Sequence, residues 1–162
     1  MKLYIKQKVF SWNDKFKVFD EQGREKYLIE GEFFSLGKKL HIINMRGEEV
    51  AFIAQKVFSF LPRYFVYING TEVAEIVKQL SLFRPKYSIE GLGWEISGDF
   101  FSHDYDIKCN GRNIVTISKQ WMTWGDCYEL EIEDESDEIV SLAVVLAIDC
   151  VMAAQNAAAA ST

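Results

Sequence analysis

The most reactive side chains of this 162-residue chain are two histidines, three cysteines and a run of carboxylates. His41 and His103 stand far apart in sequence, each in or beside an expected strand or turn. A metal pair or a general base therefore competes with two ordinary polar histidines. Cys109, Cys127 and Cys150 are odd in number and lack CxxC spacing. That speaks against a disulfide framework or zinc site and for isolated, buried thiols in a reducing compartment. No GxSxG, HExxH, Walker or GxGxxG pattern occurs. Gly91-Leu92-Gly93 opens a glycine pattern but Trp94 follows, so it reads as a turn. The expectation is a protein that is not an enzyme, with no catalytic residue, no cofactor and no metal.

Binding chemistry has more candidates. Lys56, Arg63, Lys78, Arg84 and Lys86 are interleaved with Phe58, Phe60, Phe83 and Tyr87. Such a set suits phosphate headgroups, with aromatics touching acyl chains; solvated lysines around an aromatic core are the plainer reading. The run Glu133–Glu138 offers oxygens to Ca²⁺, but it lacks the glycine and spaced bidentate Glu of an EF-hand loop. A wet, extended acidic connector is the alternative. Trp121, Met122 and Trp124 form an aromatic loop tip, for a partner or membrane contact or for packing over a barrel mouth. Asp149 interrupts an apolar segment. Enclosed, its carboxyl needs a donor or must stay protonated, acting as a polar latch; near an exit it is simply solvated.

Charge limits the partners. The net charge is −6. Nine of the 24 carboxylates lie beyond residue 125, so residues 1–125 carry all 18 Lys and Arg against 15 Asp and Glu, a balance of +3. That balance, with no arginine cluster, speaks against nucleic acid. The opening Met1-Lys2-Leu3-Tyr4-Ile5-Lys6 lacks the apolar core of a signal peptide. The expected location is cytoplasmic, peripheral at the membrane if lipid is the partner.

The elements that must position these residues are mostly strands. The chain is 49% hydrophobic and 14% aromatic, rich in residues that suit pleated surfaces. Turn signals recur every ten to fifteen residues, among them Gln22-Gly23, Arg46-Gly47, Asn69-Gly70 and Asn110-Gly111. Tyr128–Glu133 alternates apolar and acidic residues strictly, as a half-buried strand does. About twelve such runs precede residue 134. There is also an internal echo. Glu30–Ser35 matches Ser97–Ser102, Val50–Gln55 answers Ile114–Lys119, and Tyr64, Val66 and Ile68 answer Tyr128, Leu130 and Ile132. The offset drifts from 67 to 64 residues, which predicts two related β-meanders.

The last segment differs. Ile139–Ile148 is apolar but for Ser141, and the apolar character continues to Ala154. Ser136, Asp137 and Glu138 before it suit a helix start. The apolar residues circle the helix, so it must be enclosed. A membrane span needs about 20 apolar residues, whereas Asp149 cuts this one short and no Lys or Arg flanks it. The reading is one domain, 1–162, with strands over 1–133, a central helix over about 137–155, and a frayed tail over 156–162.

Three segments carry a family resemblance: the opening Leu3-Tyr4-Ile5-Lys6-Gln7-Lys8, Gly31-Glu32-Phe33-Phe34-Ser35-Leu36-Gly37, and the helix Ile139–Ala154. Over nearly its whole length the chain resembles the LURP-one-related (YxjI-like) family. The resemblance implies a tubby-like fold, a closed antiparallel β-barrel of about 12 strands enclosing a C-terminal hydrophobic α-helix. The superfamily includes tubby domains, which bind phosphoinositide headgroups, and phospholipid scramblases, which are associated with membranes and Ca²⁺. It implies a non-catalytic binding or scaffold module, with anionic phospholipid as the first partner to consider. A protein-interaction domain using exposed aromatic loops is the alternative. The resemblance supplies no catalytic residues.

Overall fold

A computed structural model of the chain describes residues 1–6, 15–32, 37–81, 86–99, 102–122 and 125–160, with the backbone alone for 121, 122, 125, 126 and 155–159. The expected strands form in order: β1 (Lys2–Lys6), β2 (Phe16–Asp20), β3 (Glu25–Glu32), β4 (Lys39–Asn44), β5 (Glu49–Gln55) and β6 (Arg63–Ile68). They continue as β7 (Thr71–Gln79), β8 (Lys86–Glu90), β9 (Trp94–Asp99), β10 (Asp104–Cys109), β11 (Arg112–Met122) and β12 (Gly125–Ile132). A helix, α1 (Glu138–Ala160), follows.

All ladders are antiparallel neighbours, in the order β8-β7-β6-β5-β4-β3-β2-β1-β12-β11-β10-β9. The chain therefore meanders outward on both sides of one long-range pairing, β1 with β12, in which Leu3 faces Leu130 and Ile5 faces Tyr128. The ammonium of Met1 donates to the Ile132 carbonyl at 3.0 Å and fastens the same seam. The sheet curls into a nearly closed 12-strand barrel of the tubby-like type. β8 and β9 are its two edges, joined through Gly91-Leu92-Gly93. A Cβ at Gly91, where φ is +100°, would stand 2.7 Å from the Val73 carbonyl, so this corner needs glycine.

Strand alternation sends one residue in two toward α1. Leu3, Ile5, Val18, Ile29, Ile42, Ile53, Val66, Ile76, Ile107, Ile117 and Leu130 are fully or almost fully buried on the inner face. They pack with Leu142, Val144, Val145, Leu146, Ile148 and Val151 of α1, each without exposed surface. A helix apolar on every side is accommodated because strands surround it. The helix runs to Ala160, past the end expected near residue 155.

The echo is a repeat of register. Tyr64 faces Gln55 as Tyr128 faces Lys119, Leu40 faces Ile53 as Tyr105 faces Ile117, and Gly31 faces Leu40 as Gly98 faces Tyr105. A register shift follows Ile42 in one half and Ile107 in the other. So β3–β6 and β9–β12 are equivalent meanders. The six residues 33–38 against the four residues 100–103 account for most of the drift in offset.

Two details depart from the sequence pattern. Glu129 points outward yet is buried, because Lys2 Nζ bonds its Oε1 at 2.8 Å and Tyr4 stands across the ladder. The acidic connector is wet but not extended. Glu135–Asp137 forms a 3-10 turn, capped by the Asp134 carboxylate accepting from Ser136 N.

Candidate functional site

An antiparallel meander makes the two ends of the barrel different. The tight turns 21–24, 45–48, 69–70, 91–93 and 110–111 share one end with the entry of α1. The strand ends that the remaining, mostly longer connections join, from Lys6 and Phe16 to Met122 and Gly125, share the other, the wide-loop end, where α1 emerges. Tight turns tolerate polar residues, and Glu21, Glu48, Glu72, Glu90 and Glu133–Glu138 lie at the tight-turn end. Carboxylates beside the N-terminus of α1 suit its dipole. Glu138 also ties the helix to β3, accepting from Tyr27 Oη at 2.8 Å and pairing with Lys26 at 2.7 Å.

The wide-loop end has the opposite character. Lys56 and Arg63 are neighbours through a backbone bond, Lys56 N to Arg63 O at 2.9 Å. Arg63 stands across from Val77, Lys78 N donates to Pro62 O at 3.2 Å, and Gln79 pairs with Lys86. These cations therefore occupy the successive strand ends of β5 to β8, an arc of about 15 Å at the usual strand spacing. Lys56 and Lys86 are exposed, and Arg63 and Lys78 are half-buried. Arg63 pairs with Glu75 at 3.2 Å, and Lys56 Nζ stands 5.5 Å from the Phe65 ring centroid. Arg84, expected in the same set, lies outside the described residues, as does Trp124; for Trp121 and Met122 only the backbone is described.

Phe58 and Phe60 are interleaved with these cations in the sequence, which does not show whether they face solvent. In the structure they are 99% and 93% exposed, and Leu80 on the next connection is 78% exposed. Phe58 has φ of +60°, which non-glycine residues seldom adopt.

Inside this mouth lies a polar cluster. Asp149 is enclosed rather than solvated, 5% exposed. Its Oδ2 accepts from Tyr128 Oη at 2.5 Å, and its Oδ1 lies 3.2 Å from His103 Nε2. The His103 ring stacks on Tyr128 with centroids 4.7 Å apart. Burial opposes a charge on His103, and Lys119 opposes it further. The bond to Asp149 and its negative charge outweigh both, so the imidazole pKa lies above its ordinary value. Burial, then Asp149, pushes the Tyr128 hydroxyl far up, so it stays a donor. Tyr105 Oη is buried beside them without a hydrogen-bond partner.

The echo places Lys38 where the other half has His103, and Tyr64 where it has Tyr128. Burial lowers the Lys38 ammonium pKa, against some support from nearby Cys150. Burial raises the Cys150 thiol, and Asp149 adds to that. None of the three cysteines forms a disulfide. The partnership of His103 with Asp149 was invisible in sequence; matching Lys38 with His103 was the one available signal.

The other histidine sits on the outer wall, with Nε2 2.9 Å from Glu32 Oε1 and Nδ1 2.5 Å from Glu49 Oε2. At the tight-turn end a cleft of about 400 Å³ is lined by Arg112, Asn113, Ile114, Glu133, Asp134 and Asp137. Among the described residues, no group of three or more His, Cys, Asp or Glu is arranged to hold a metal ion. No described helix is long and apolar enough to cross a membrane.

Comparison with known proteins agrees with this architecture. The solved structure of an Arabidopsis thaliana protein superposes with a TM-score of 0.58 at 12% identity, covering 92% of this chain and 90% of that one. The likeness is one of fold. An uncharacterised protein of Bacillus subtilis (strain 168), YxjI, is 38% identical over 153 residues, 94% of each chain. The model of the LURP-one-related family matches residues 1–149. The twelve strands, the echo and the first half of the enclosed helix thus fall within the matched span, and the chain belongs to the LURP-one-related family.

Proposed function

We propose that this protein is a non-catalytic binding or scaffold module that associates weakly with anionic phospholipid, phosphoinositides included. One observation carries the reading: Lys56, Arg63, Lys78 and Lys86 stand together on the arc from β5 to β8. Each Lys or Arg near an anionic surface contributes about 1 kcal/mol, so the set supports weak, salt-sensitive binding. A barrel filled by its own helix supports a surface function over an enzyme with an interior pocket.

Liposome co-sedimentation, with and without phosphoinositide and at two salt concentrations, tests the proposal. Binding that weakens with salt is expected. Absence of any salt-sensitive binding would remove the phospholipid reading. The second reading is a protein-interaction domain, favoured by the exposure of Phe58 and Phe60. Pull-down from lysate separates the two, since a protein partner would be retained after lipid is extracted.

A further inference from the structure

We infer that loop 56–62 is an interfacial anchor: Phe58 and Phe60 enter the boundary between headgroups and acyl chains of an anionic bilayer, and the barrel docks by its wide-loop end. The inference rests on the phospholipid reading and adds an apolar term and an orientation to it.

Exposed apolar residues standing singly are ordinary, but neighbouring ones mark a contact surface. Here two phenylalanines two residues apart present nearly their whole surface to water, and Val57 and Leu80 at the same end are also exposed. The backbone at Phe58 is left-handed, and its side chain stands away from the barrel. Phe is a poor choice for that conformation, where glycine or asparagine would be easier. The residue type therefore points to a use for the ring in solvent.

Charge favours a lipid surface as the occupant. No carboxylate among the described residues pairs with Lys56, Lys78 or Lys86. The carboxylates at this end are engaged or stand to the side: Glu75 pairs with Arg63, and Asp149 is enclosed between Tyr128 and His103. Glu32 is engaged by Lys39 and His41, and Asp99 and Asp104 belong to β9 and β10. Glu133–Glu138 and the other acids of the tight turns are at the opposite end. A chain of net charge −6 can thus approach an anionic surface with one end only. The emerging stretch of α1, residues 153–160, holds no charged side chain, and the partial negative charge of the helix end, roughly half a unit, is outweighed by the cations of the arc. Burial to a depth of about 5–10 Å is usual for interfacial elements, a depth one loop tip can reach.

The experiment uses vesicles of phosphatidylcholine with and without 30% phosphatidylserine (roughly one anionic lipid in three, comparable to a cytoplasmic leaflet). Three proteins are compared: wild type, the double variant Phe58→Asn/Phe60→Ser, and the triple variant Lys56→Gln/Lys78→Gln/Lys86→Gln. Asn suits the backbone at 58, so the double variant keeps its fold, checked by circular dichroism. Binding to anionic vesicles should weaken on the order of tenfold in the Phe variant with its salt dependence retained. In the Lys variant it should weaken by about fivefold per charge, with a flatter salt dependence. An environment-sensitive dye on Ser59→Cys, in a Cys109→Ser background, should shift to the blue on anionic vesicles. Wild-type affinity in the Phe variant with an unshifted dye would overturn the anchor and leave headgroup binding standing. Failure of the wild type to bind any vesicle at low salt would overturn both, and a protein captured through Phe58 and Phe60 would then be their occupant.

Discussion

Replacing Asp149 by Asn tests how the enclosed helix is held. The carboxylate is 5% exposed, with Tyr128 Oη at 2.5 Å and His103 Nε2 at 3.2 Å. Asn keeps an oxygen for Tyr128 but removes the charge beside His103. A hydrogen bond to a charged group contributes about 1.5–3 kcal/mol, so Asp149→Asn should lose that much where His103 is protonated. The pH dependence follows from the direction of the His103 shift. Its folded pKa is raised above the ordinary value of 6.5. The folded state then holds more protons than the unfolded one between 6.5 and the folded pKa. Stability from this pair is therefore complete below pH 6.5 and declines as pH rises through the folded pKa. Without the Asp149 charge, burial and Lys119 remain, and both lower the pKa. The sign reverses: His103 in the variant costs stability at acid pH and recovers it as pH rises toward 6.5. The gap between wild type and variant should thus be widest near pH 5–6 and narrow toward pH 8. Urea unfolding followed by tryptophan fluorescence across that range measures it. An NMR titration of the two histidines, assigned with His41→Gln, reads the pKa directly. Parallel stability curves from pH 5 to 8, or a His103 pKa unmoved by Asp149→Asn, would refute the reasoning. Asp149→Leu should cost a further 1–3 kcal/mol or so, because the Tyr128 hydroxyl then has no acceptor.

Four further outcomes are expected in the same urea assay. Leu146→Ala, at a fully buried site of α1, should cost about 2–5 kcal/mol. Ser141→Ala should stabilise by about 1 kcal/mol, since its Oγ is buried without a hydrogen-bond partner. Gly98→Ala should destabilise by about 2 kcal/mol or more, because φ is +123° and a Cβ would meet the Asp104 carbonyl and Tyr105 Cα at 2.8 Å. Phe58→Asn should be neutral or stabilising by up to about 1 kcal/mol, since it relieves a left-handed phenylalanine that packs on nothing.

The architecture was largely legible because it rests on local patterns. Period-two alternation marked strands such as Tyr128–Ile132, and Asn69-Gly70 and Asn110-Gly111 marked hairpins whose residues do adopt positive φ. The apolarity of Ile139–Ile148, broken only by Ser141 and without basic flanks, required an enclosure, and the echo of β3–β6 in β9–β12 supplied eight of its twelve strands. Glu129 shows where the alternation rule stops. Its outward direction was readable, but its burial comes from Lys2, 127 residues away in sequence.

What sequence alone determined, then, was which residues face inward and that a helix fills the space between them. Those properties depend on each residue's own side chain and its near neighbours. Tertiary structure decided what depends on residues distant along the chain. It closed the seam of β1 with β12, and it gathered Lys56, Arg63, Lys78 and Lys86 at one end, away from Glu133–Glu138. It also left Phe58 and Phe60 in water and put His103 and Tyr128 on Asp149. A carboxylate in an apolar helix announces only that a partner is needed. Which groups answer it depends on the stagger of strands around the helix, and no local pattern records that stagger.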